Sequence, residues 1–162
     1  GPHKARSLGD DQIEISISDV HGVKKTGDGI AINTGVPHLV VFTDDTDNID
    51  VVSEGRRLRY SQLYAPDGVN VDFVQHDRDS IKVRTYERGV EDETLACGTG
   101  VTASVIAAAI TGKIVTDNPV VNVRGGTLSV SYTLTADGAK DILLRGPATF
   151  VFSGEIEIQS AK

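Results

Sequence analysis

The sequence predicts an α+β fold in which an antiparallel β-sheet rolls around one central α-helix. Three observations carry this expectation. Short runs alternate apolar and polar residues with period 2, the pattern of half-buried strands. Residues 101–110 carry no charge on any face and are rich in alanine, a strong helix former. A helix with no polar face is buried all round, and small side chains let strands approach it from several sides.

Taken in order, residues 13–17 (IEISI) alternate strictly. Residues 29–33 and 39–43 are short β-branched runs. Residues 70–75 and 81–86 read as paired strands, with residues 76–80 as their turn. The helix runs over residues 98–111, about 20 Å at 1.5 Å per residue, with Gly112 as a natural C-cap. Residues 120–124 then meet residues 127–135 through Gly125-Gly126, and Asp137-Gly138 turns the chain into residues 141–145. Both dipeptides tolerate the positive φ of tight hairpin turns. Residues 150–152 and 155–159 complete the meander.

A chain of 162 residues suits one domain and buries a core without disulfides. The formal net charge of −7 makes nucleic acid and anionic membranes poor partners. No window is apolar for the ~18 residues a membrane span needs. The single cysteine excludes an internal disulfide and a Cys-rich zinc site, and no metal is expected. It fits a reducing compartment such as the cytoplasm. Methionine is absent even at residue 1, so the chain reads as a fragment or a processed product.

The chemistry-bearing residues cluster around Ala96-Cys97-Gly98-Thr99-Gly100, where the helix begins. A thiol there feels the positive end of the helix dipole, which lowers its pKa. The free N–H groups of the first turn suit a carboxylate. The alternative is a small buried hydrophobe, and the nearby Glu91, Asp92 and Glu93 would raise the thiol pKa. Glu87-Arg88 at a strand end matches the two charges of an amino acid, or forms a solvated surface pair. His38, after Val36-Pro37, is a proton carrier or a turn residue. Asn70 holds a polar ligand group or helps form the turn after Asp67-Gly68.

The run RTYERGVEDETLACGTGVTA, residues 84–103, resembles the C-terminal catalytic signature of the diaminopimelate epimerase family. NTGVPHLVVF, GVNVDFV and LLRGPATFVFSGEI are similar to other blocks of that family, in the family's order. The resemblance implies a pyridoxal-independent epimerase with no cofactor, built from two similar half barrels that each contribute one cysteine. It covers only the second half, so the implied partners are the N-terminal half of the same protein and a small amino-acid substrate, diaminopimelate. Self-association as a homodimer through the inter-domain face is a further expectation.

By the same resemblance, Cys97 is one of two acid/base cysteines. Gly98 and Thr99 hold the α-carboxylate through their N–H groups. Glu87 accepts from the α-ammonium and tunes the thiols. Arg88 and Asn70 grip the distal end of the substrate, and His38 assists the other half's cysteine. Residues 1–19 become a linker or edge strand from the first half, residues 20–152 the C-terminal epimerase domain, and residues 153–162 a terminal strand pairing with that half.

Two departures stand out. Val36 occupies a position where many members carry Asn, which removes or moves one distal contact. The Glu91-Asp92-Glu93 stretch makes the Glu87-to-Cys97 loop longer and more acidic than in many members. Three functional readings follow: an epimerase of LL- and meso-diaminopimelate in lysine and peptidoglycan synthesis, a racemase or isomerase of the same fold acting on another amino acid, and a non-catalytic domain. With one thiol, the isolated chain is expected to be inactive.

Overall fold

The computed structural model describes residues 3–157. Eleven strands form one sheet: β1 (Ala5–Gly9), β2 (Gln12–Ser16), β3 (Lys24–Lys25), β4 (Ile30–Asn33), β5 (Pro37–Phe42), β6 (Asn70–Asp77), β7 (Ser80–Glu87), β8 (Asp92–Thr94), β9 (Val120–Val123), β10 (Gly126–Leu134) and β11 (Ala139–Pro147). Their spatial order is β1-β2-β11-β10-β9-β7-β6-β5-β4-β3, with β8 paired to β7. Helices α1 (Val51–Arg59) and α2 (Gly98–Ile110) complete the mixed α+β fold, with a short 3₁₀ turn at Gln62–Tyr64.

The sheet is mixed, which corrects the antiparallel expectation. β5 pairs with β6, and β7 with β9, in parallel. Parallel neighbours need crossover connections, and the helices lie within them: α1 between β5 and β6, α2 between β7 and β9. Both crossovers advance the same way along the sheet, but they start from antiparallel strands. The right-handed preference for such crossovers then puts the helices on opposite faces.

Each face has its own core. Val101, Ala103, Val105, Ile106, Ala107 and Ala108 of α2 are fully buried against inward residues such as Val40, Val74, Ile81, Val83, Val121, Val130 and Ile142. The helix touches β4, β5, β6, β7, β10 and β11. It ends in a Schellman motif: Gly112 takes φ +68°, its N–H donates to Ala109 O, and Lys113 N–H donates to Ala108 O.

On the other face, α1 presents Val51, Gly55 and Leu58 to Leu39, Val71, Phe73 and Tyr86. Period 2 sorts the strands between the two cores. In β6, Asn70, Asp72 and Val74 share the α2 face, while Val71 and Phe73 face α1.

Three further differences concern individual elements. The sequence reading did not anticipate α1. Asp50 caps it, accepting from Ser53 N–H, but its nine residues include two Val, Ser and Gly, all weak helix formers. The hairpin β1–β2 closes through Asp10 and Asp11, both at positive φ, as a two-residue primed turn requires. β2 pairs with β11.

The strands expected at residues 150–152 and 155–157 are not formed. Phe150, Val151, Phe152 and Ile156 are exposed, and β11, the strand before them, is already paired with β10 and β2. The remainder of the expected terminal strand, residues 158–162, lies outside the described residues. No helix among the described residues is long and apolar enough to cross a membrane.

Candidate active site

The first turn of α2 opens into a cleft of about 590 Å³. Cys97, Gly98 and Thr99 form one wall and Glu87, at the end of β7, another. Thr34, Gly35 and Leu144 line it, as do Ile15, Ile17, Ser18 and His3 from the N-terminal segment. Cys97 is the helix N-cap, 9% exposed, and its side chain makes no capping bond. The N–H groups of the first helical turn have no intrahelical acceptor, so those of Gly98 and Thr99 are available to a carboxylate in the cleft. Thr102 Oγ1 and Val101 N–H close the turn behind them, on Gly98 O and Cys97 O.

Beneath the cleft lies a fully buried histidine–carboxylate pair. His38 Nδ1 sits 2.7 Å from Asp72 Oδ2, with both side chains at 0% exposure. Thr85 Oγ1 donates to Asp72 Oδ1 at 2.8 Å. His38 Nε2 lies 3.1 Å from Thr99 Oγ1, which lies 3.4 Å from Cys97 Sγ. Gly100 makes this close approach of helix and strand possible, since a Cβ there would collide with the Asp72 carboxylate.

Asn70 and Arg88 belong to the surroundings of the cleft rather than its lining. Arg88 N–H donates to Asn70 Oδ1 at 2.7 Å, and the Arg88 guanidinium reaches the carbonyls of Asp67 and Gly68. Asn70 Nδ2 donates to Pro37 O and His38 Nε2, each at 3.4 Å.

Burial pushes the Cys97 thiol above its ordinary value, and the nearby carboxylates of Asp72 and Glu87 add to this. The polar neighbours Thr99 and Gly100 pull the other way. This corrects the expected depression by the helix dipole: desolvation outweighs it, and the thiol is the resting form. The carboxylates expected to act on Cys97 also differ. Glu91 pairs with Arg59, and Glu93 with Arg84 and Arg124, so the two glutamates of the acidic loop are paired with arginines.

Sequence reasoning missed Asp72, Thr85 and the cleft-lining residues of the N-terminal segment. A signal for Asp72 was present: it sits two residues after Asn70, between Val71 and Phe73, so in a strand its carboxylate faces the same way as the asparagine. Among the described residues, no group of three or more His, Cys, Asp or Glu side chains is placed to hold a metal ion.

The fold has a solved counterpart. The chain superposes on a hydroxyproline epimerase from Agrobacterium vitis with a TM-score of 0.59, covering 90% of this chain and 53% of that one at 18% identity. Sequence comparison is more specific: the diaminopimelate epimerase family model matches residues 30–151, and the chain belongs to that family. Curated relatives named diaminopimelate epimerase include those of Flavobacterium psychrophilum, 45% identical over 96% of this chain, and Methanocella arvoryzae, 42% identical over 86%. The chain spans 61% and 46% of those two proteins, roughly half a relative's length.

Proposed function

We propose that this chain is one lobe of a cofactor-independent epimerase that interconverts LL- and meso-2,6-diaminopimelate, feeding lysine and peptidoglycan synthesis. The observation that carries the reading is the cleft in which Cys97, Glu87 and the first turn of α2 meet. An α-amino acid fits such a wall by charge. Its carboxylate lies on the N–H groups of Gly98 and Thr99, and its ammonium lies toward Glu87. Those two contacts turn the α-carbon toward Cys97. Arg88, half-buried beside the cleft, takes the distal carboxylate, and Asn70 fixes the Arg88 backbone.

Inversion at carbon needs a base on one face and a proton donor on the other. A single group returning the proton to the face it came from regenerates the starting isomer. Cys97 supplies one of these groups, and as a resting thiol it is the donor toward its own face. A second cysteine, on a companion half rolled around its own helix in the same way, supplies the other. The companion half covers the cleft and excludes water.

The test is incorporation of deuterium from heavy water at the α-carbon of diaminopimelate. The chain alone is expected to give none above background, and addition of a companion half from a relative is expected to restore it. Sustained exchange by the chain alone would refute the two-thiol requirement.

A further inference from the structure

The buried His38–Asp72 pair is connected to Cys97 by an unbroken line of hydrogen bonds within this one chain. The partners fix its direction. An ionised carboxylate only accepts, so His38 Nδ1 carries a hydrogen toward Asp72 Oδ2. In the neutral ring, Nε2 is then the acceptor. This agrees with the Asn70 amide, a pure donor, 3.4 Å away. Thr99 Oγ1 lies closer, at 3.1 Å, and donates its single hydrogen to Nε2. Its lone pairs are left facing Cys97 Sγ at 3.4 Å, so the thiol is the donor in that contact.

We propose that Thr99, His38 and Asp72 are positioning residues for Cys97, forming a line that receives the thiol proton when Cys97 becomes a thiolate. The step balances. The S–H bond breaks as a new O–H bond forms on Thr99. The former Thr99 O–H bond breaks as an N–H bond forms at His38 Nε2. The resulting imidazolium lies against the Asp72 carboxylate, which Thr85 holds in place. Thiolate and imidazolium stay separated by one hydroxyl, and the reverse passage recharges the thiol. The inference rests on the reading of Cys97 as an acid/base group, and it adds an intra-lobe role for His38 to the one the family resemblance implies.

The groups facing this line are few. Asp72 comes from β6, Glu87 from the end of β7, and His3 from the N-terminal segment, while the first turn of α2 carries no charge. A carboxylate acting on Cys97 only through space predicts that removing its charge eases thiolate formation. The hydrogen-bonded line predicts the opposite, because the imidazolium loses its counter-ion. The two accounts therefore differ in sign.

The experiment uses the 162-residue chain with ¹⁵N-labelled histidine, read by long-range ¹H–¹⁵N spectra together with iodoacetamide alkylation of Cys97 across pH. His38 is expected as the Nδ1–H tautomer, with the Nε2 resonance changing over the same pH range in which Cys97 becomes reactive. Thr99→Val is expected to slow alkylation at pH 8 by about tenfold, the loss of one charge-assisted hydrogen bond. Thr99→Ser is expected to restore the rate to within about twofold. Asp72→Asn is expected to raise the pH at which Cys97 reacts, and Thr99→Val serves independently because its side chain is nearly isosteric and half-buried.

An Nε2–H tautomer, or wild-type alkylation by Thr99→Val, would overturn the proposal. Full epimerase activity of Cys97→Ala, measured with a companion half, would instead overturn the reading of Cys97 and leave the tautomer result standing.

Discussion

The two helices both pack against β6 and β7 and are opposites in almost every respect. Helix α2 is uncharged, nearly all buried, and places the Cys97 thiol at its start. Helix α1 is amphipathic, begins with a capping aspartate and ends with Arg56, Arg57 and Arg59. Of the two, α2 is the one whose first turn meets a buried histidine–carboxylate pair and a cleft at once. Helix α1 contributes at a distance. Its Arg59 holds Glu91 at 3.2 Å and the Asp67 carbonyl at 2.9 Å, tying together the two loops that flank Glu87, Arg88 and Asn70. One helix presents the site, and the other braces the loops that complete it.

Glycine substitutions sharpen this contrast most strongly. Gly55→Ala would drive a Cβ into the Tyr86 side chain, at a buried contact with no room to yield. A loss of about 1–3 kcal/mol in urea unfolding is expected from overpacking, partly offset by about 1 kcal/mol of helix propensity. Gly100→Ala strikes the Asp72 carboxylate instead. A stability loss in the same range of about 1–3 kcal/mol is expected, but with His38 displaced from Thr99 and Cys97 reactivity altered. If Gly55→Ala changed Cys97 reactivity as much as Gly100→Ala, the division of labour would be wrong.

Smaller effects follow. Asp50→Ala removes the cap of α1 and should cost about 1 kcal/mol in the same assay, leaving Cys97 alkylation as it was. The thiol supplies a pH signature. Its pKa is raised in the folded chain, so above about pH 8.5, the ordinary thiol value, the unfolded chain gives up its proton first. Stability is therefore full below that pH and falls as pH rises through the folded value. Cys97→Ser should flatten this decline in chemical unfolding series at pH 8, 9 and 10. A decline equally steep in Cys97→Ser would assign it to other groups.

The same contrast explains what the sequence made legible. Helix α2 was readable because thirteen residues without charge fit only a buried helix, and the Gly112 stop was equally plain. Helix α1 was not, because weak helix formers hid a short amphipathic stripe at Val51, Gly55 and Leu58 that only tertiary packing stabilises. The β5–β6 parallel pairing was missed with it, since recognising that crossover depends on seeing α1; the β7–β9 pairing was missed although α2 was seen. At the site, Cys97, Glu87, Gly98 and Thr99 were identified from their motif, and the structure gathers them in one cleft. Asp72 and Thr85 were not, because their partnership with His38 comes from register across β5, β6 and β7 rather than from any local run.

The most direct test of the central claim compares two versions of this chain, each mixed with a companion half in heavy water: wild type and Cys97→Ala. Wild type is expected to restore deuterium incorporation at the α-carbon of diaminopimelate. Cys97→Ala is expected to lower it by at least about 100-fold, the smallest effect typical of losing a general acid/base group. Equal incorporation by the two would contradict the assignment of Cys97 as the proton-transferring thiol of this lobe.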